Sequence, residues 1–60
     1  MSKRAIDAVF EGMFLLTDIR AILRETAPLH DLDEEQRRQV NSLLDDLGKK
    51  VLVIREDLVK

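Results

Sequence analysis

The sequence predicts an all-α fold, an antiparallel two-helix hairpin that dimerises into a four-helix bundle. Three observations carry that expectation. The only proline, Pro28, lies near the middle of the 60 residues and leaves a proline-free stretch on either side. Both stretches space their apolar residues at helical rather than strand intervals. A domain this short also buries only about 60% of the surface its unfolded chain exposes, so it usually relies on a disulfide, a metal or a partner subunit. With no cysteine and one histidine, disulfides are excluded and a closed zinc site lacks its ligands. Oligomerisation remains, and the chain reads as one hairpin domain over residues 1–60 that pairs with itself.

The first helix is expected over about residues 3–26. Good helix formers outnumber the single glycine there, and Pro28 ends the run. Advancing about 100° per residue, Ala5, Ala8, Val9, Gly12, Leu15, Leu16, Ile19, Ile22 and Leu23 gather on one broad face, which reads as the core side. A turn is expected over residues 27–32. The second helix follows over about 33–59, with Asp31 or Asp33 as its cap and Glu34 or Gln36 as the reciprocal partner three residues on. Val40, Leu44, Leu47, Val51, Ile54 and Leu58 are spaced 4, 3, 4, 3, 4, a heptad seam that Leu43 widens. That seam keeps its phase across Gly48, so a continuous helix is expected there rather than an end at Leu47 and a short strand. Facing residues of the hairpin then have numbers summing to about 60, which sets Val9 against Val51, Leu16 against Leu44, and Gly12 against Gly48.

Several functions are set aside by what the sequence lacks. The net charge of -2 comes from 12 acidic and 10 basic residues mixed along the chain, giving no global field for nucleic acid or anionic lipid. The apolar run after Met1-Ser2-Lys3-Arg4 is broken by Asp7 and Glu11 and has no small-residue cleavage site. No stretch approaches the roughly 20 apolar residues of a membrane span, and a cytoplasmic protein that starts naturally at Met1 is the expectation. His30 is a lone loop imidazole with no nucleophile at useful spacing, so no catalysis is expected. The run Asp31, Asp33, Glu34 and Glu35 lacks the glycine and final glutamate of a calcium loop and reads as a solvated helix start. No cofactor or metal is expected.

What the core does not explain lies on the first helix. Phe10, Phe14 and Ala21 point almost opposite to the core face, bordered by Met13 and Thr17. Leaving both phenylalanines in water would forgo about 1.5–3 kcal/mol each. Two readings stand: the five residues form a patch for a partner protein, with aromatic anchors and a polar rim, or the phenylalanines are the dimer interface or reach the core. On the second helix Leu52 and Val59 form a smaller stripe off the main seam.

The chain resembles the Rop, or Rom, family of plasmid-encoded helical-hairpin regulators in its opening Met1-Ser2-Lys3, in Phe14, in Ile22-Leu23, and in Leu29-His30-Asp31-Leu32-Asp33-Glu34-Glu35-Gln36. The likeness is strongest over residues 29–44 and involves shifts in register. It implies a dimeric four-helix bundle and binding to a pair of kissing RNA hairpins along the first helices. Lys3 and Phe14 would then be retained contacts, with Arg20 and Arg24 beside them. The remaining contact positions fall on Phe10, Asp18 and Glu25, and carboxylates facing phosphates repel them. By size and architecture the chain is similar to a small regulator or inhibitor carried by a phage or plasmid. Its expected partners are therefore a second copy and another protein, with RNA as the alternative and a structural assembly role as the third reading.

Overall fold

The computed structural model describes residues 3–59. Met1 and Ser2 of the family-like opening lie outside the described residues. Two helices make up the fold, α1 over Lys3–Glu25 and α2 over Glu34–Leu58, packed as an antiparallel hairpin with no strand among the described residues. The Cα trace measures 40 × 16 × 13 Å.

α1 ends one residue earlier than expected because the chain caps itself before the proline. Thr26 places its hydroxyl between the carbonyls of Ile22 and Leu23, at 3.2 and 3.1 Å. His30, at φ 57°, donates its N–H to the Thr26 carbonyl at 2.8 Å and sets Nδ1 3.1 Å from the Leu23 carbonyl. Carbonyls that an α-helix leaves unpaired at its end are thus occupied. Of the two expected caps of α2, Asp33 is the one used. Its carboxylate accepts from the Gln36 N–H at 2.8 Å and its own N–H donates to the Gln36 side chain at 2.9 Å, a complete capping box. Glu34 and Glu35 follow in the first turn, where the helix dipole favours them. α2 runs unbroken through Gly48, as its uninterrupted periodicity predicts.

Helix rotation differs from the expectation. The stripe of α1 that packs on α2 is Ala5, Ala8, Gly12, Leu15, Ile19 and Ile22, all buried or half-buried, spaced 3, 4, 3, 4, 3. The matching stripe of α2 is Gln36, Val40, Leu43, Leu47, Lys50, Ile54 and Asp57, spaced 4, 3, 4, 3, 4, 3. Val9, Leu16 and Leu23, expected in the core, are exposed, and so are Leu44, Val51 and Leu58 of the expected heptad seam. The physical reason is the short side chains of Ala5, Ala8 and Gly12. A stripe of small residues lets α2 approach α1 along that line, and the seven-residue rows beside it swing out.

The glycine pairing is corrected as well. A Cβ on Gly12 would sit 3.5 Å from Leu47 Cδ1, whereas one on Gly48 would meet nothing within 4 Å. Gly12 is therefore a contact point against a leucine, and Gly48 lies on the exposed side of α2. The height rule itself holds, since Arg4 pairs with Asp57 and Glu11 with Lys50.

Two outcomes test this packing. Replacing Asp33→Ala removes the capping box and should lower stability by about 1 kcal/mol, while Asp33→Ser keeps most of it; thermal melts followed by circular dichroism read the difference. Gly12→Ala fits at ordinary contact distance and should be tolerated. Gly12→Leu forces the helices apart and should cost about 1–3 kcal/mol in the same melts.

Candidate interaction surface

The hairpin has three chemically distinct sides, and the seam fixes all of them. Each residue advances about 100° around the helix, so positions just before and just after the seam fall on opposite flanks. In an antiparallel pair, flanks displaced in the same sense along each chain lie on the same side.

The first side is charged. Lys50 Nζ lies 2.7 Å from Glu11 Oε2, and Arg4 Nη1 lies 3.7 Å from Asp57 Oδ1. Lys50, Glu11 and Arg4, with Asp7, Ala8 and Val53, line a shallow pocket of about 240 Å³. The hydrogen bond that Lys50 donates to Glu11 raises its pKa above the ordinary 10.5, helped by the Glu11 charge and, less, by that of Asp46, and opposed by partial desolvation. Towards the loop the same side opens into a larger groove of about 430 Å³, lined by Asp18, Ala21, Ile22, Gln39, Ser42 and Leu43.

The second side is aliphatic. Val9, Leu16 and Leu23 on α1, and Leu44, Val51 and Leu58 on α2, are 39% to 53% exposed and recur every seven residues. Sequence reasoning placed all six in the core and so missed this side. The signal that could have found it is that each helix carries two adjacent heptad rows, where one neighbour can cover only one.

The third side is the outer back of α1. Phe10, Met13, Phe14, Thr17 and Ala21 fall within an arc of roughly 100°, turned away from α2. All five are exposed, with Phe10 at 56%, Met13 at 57% and Phe14 at 69%. The five expected residues therefore do gather, and the phenylalanines do not reach the hairpin core. Thr17 donates its hydroxyl to the Met13 carbonyl at 2.9 Å, so its polar group is satisfied by its own helix. Asp7, Asp18 and Glu25 border this ridge on one edge, Arg20 and Arg24 on the other. Ala21 joins the ridge to the larger groove.

Of the alternative set, Lys3 and Arg24 fall within the arc of the ridge but roughly 15 Å along the axis from Phe14, Arg20 lies roughly 120° around the helix from it, and Asp18 stands one turn away. No three His, Asp or Glu side chains among the described residues converge to hold a metal, and no described helix is long and apolar enough to cross a membrane.

A scan against protein-family models gave no match, and searches of curated proteins and of solved structures gave none either.

The Lys50–Glu11 pair gives a pH signature. Because the folded pKa of Lys50 lies above its unfolded value, the pair's stabilisation is complete below about 10.5 and is lost as pH rises through the raised value. Stability should fall more steeply over that alkaline window in the wild type than in Lys50→Gln, as read by chemical denaturation at a series of pH values.

Proposed function

We propose that this chain is a small non-enzymatic regulator or inhibitor that works as a homodimer in the cytoplasm and binds a partner protein through the α1 ridge. The carrying observation is the exposure of Phe10, Met13 and Phe14 together on the side of α1 that α2 never reaches. Each phenylalanine left in water forgoes about 1.5–3 kcal/mol, energy that a partner's apolar surface recovers. The ridge has the anatomy of a binding patch, with aromatic anchors in the middle and charges of both signs at the edges. Thr17 and Ala21 continue the ridge beyond Phe14 with smaller side chains, which leaves room there for a partner's side chain. The phage or plasmid setting is an analogy drawn from size and architecture alone.

Charge separates this reading from RNA binding. A surface that binds RNA gathers Arg and Lys along phosphates, yet the charged residues one helical turn from Phe14 here are the carboxylates Glu11 and Asp18. The reading is tested by affinity capture from host lysate with and without RNase, followed by binding measurements on the purified partner. Wild type should capture a protein that resists RNase treatment, and Phe10→Ser/Phe14→Ser should weaken it by about 100-fold or more while remaining helical. Affinity should change little between 50 and 200 mM salt, where a phosphate-dominated complex loses about 10³–10⁵-fold. RNase-sensitive capture with that steep salt response would replace the protein partner by RNA. Concentration-dependent mass beyond a dimer would favour an assembly role.

A further inference from the structure

We propose that a second copy of this chain covers the aliphatic side, Val9, Leu16 and Leu23 of α1 with Leu44, Val51 and Leu58 of α2, and leaves the ridges of both copies outside the interface. The inference rests on the homodimer reading above and assigns its surface.

Within one hairpin the core is too small to stand alone. Among the described residues the buried apolar side chains are Ala5, Ala8 and Ile22, and no large side chain is fully buried. A helix of a four-helix bundle touches two neighbours and needs two adjacent apolar rows. α1 spends the row through Ala5, Gly12 and Ile19 on α2, and the row Val9, Leu16, Leu23 stays open; α2 likewise keeps Leu44, Val51, Leu58 open. Both open rows lie on the side opposite the Arg4–Asp57 and Glu11–Lys50 ion pairs, so one flat partner can cover both at once.

The area also fits. One long side of the hairpin is 40 × 16 Å between Cα atoms, about 640 Å² before side chains widen it. A standard interface buries about 800 Å² per partner. The face is self-complementary, because rows with the same seven-residue spacing can interdigitate with copies of themselves. Its charges, Arg20, Arg24 and Arg37 towards the loop and Arg55 towards the open end, lie at its outer edges beyond the aliphatic rows.

The ridge is the poorer self-contact. It belongs to α1 alone, so two copies joined there would leave twelve half-exposed aliphatic side chains in water. Covering the aliphatic side instead makes a symmetric dimer that presents one ridge per copy on its outside. Such a dimer is a bivalent binder, and its complexes with the partner contain two copies of each chain or link two sites on one target.

The chain has no cysteine, so single thiols report on each side in turn. Leu44→Cys and Val51→Cys are compared with Phe14→Cys for alkylation rate, and the mass of the wild type is measured by light scattering with refractive-index detection. We expect a two-chain mass, thiols at 44 and 51 that react at least tenfold more slowly than the thiol at 14, and loss of that protection on dilution. A one-chain mass at every concentration would overturn both the dimer and this assignment. A two-chain mass with the thiol at 14 protected as strongly as those at 44 and 51 would overturn the assignment alone. Capture through the ridge is read separately, so its failure leaves the thiol result standing.

Discussion

Two helices can bury only one line of contact between them, and every other feature of this molecule follows from where that line falls. It falls on the smallest residues of α1. Ala5, Ala8 and Gly12 form the half of the stripe nearest the open end, and the larger Leu15, Ile19 and Ile22 form the half nearest the loop. On α2 the size order is complementary where it can be traced, since Leu47 reaches to within 3.5 Å of the Cβ position of Gly12. Small residues opposite large ones give close packing without strain, and that match fixes the rotation of each helix.

Once the rotation is set, the sides separate by chemistry. Glu11, Arg4, Lys50 and Asp57 fall together on one flank, where their pairing satisfies charge at little net gain in stability, since exposed ion pairs contribute about 0–1 kcal/mol. Their main effect is on alignment, because like charges would meet if one helix slid by a turn. The opposite flank receives the aliphatic rows of both helices, edged by arginines, and the back of α1 receives the two phenylalanines. The lone hairpin therefore leaves both aliphatic rows and both phenylalanines exposed.

A division of labour follows for the surfaces. The aliphatic rows are regular, single in kind and spread over both helices, which suits a permanent contact between identical chains. The ridge is aromatic, confined to one helix and edged by both signs of charge, which suits a contact with a different surface. On separate sides, the two surfaces can be occupied independently of each other. The groove beside Ala21 extends the ridge towards α2, so a partner helix or loop lying along α1 could reach Ile22 and Leu43 as well.

Much of this was legible in the residues. Helix lengths, the turn, the unbroken run through Gly48 and the antiparallel heights are written in propensity, capping and periodicity, all of which act between residues close in the chain. The ridge was legible as one of two readings, because Phe10 and Phe14 stand opposite the face where most apolar residues of α1 gather, and the structure shows that they do not reach the hairpin core. The sequence alone could not choose between the adjacent rows, since Leu16 and Leu44 are as apolar as Leu15 and Leu43. Only the tertiary structure decided that Ala5, Ala8 and Gly12 face α2, that Gly12 meets Leu47 rather than Gly48, and that six aliphatic side chains stand open on one side. The reason is that rotation about a helix axis is set by how side-chain sizes on two helices fit across the contact, and no property of either helix by itself encodes that fit.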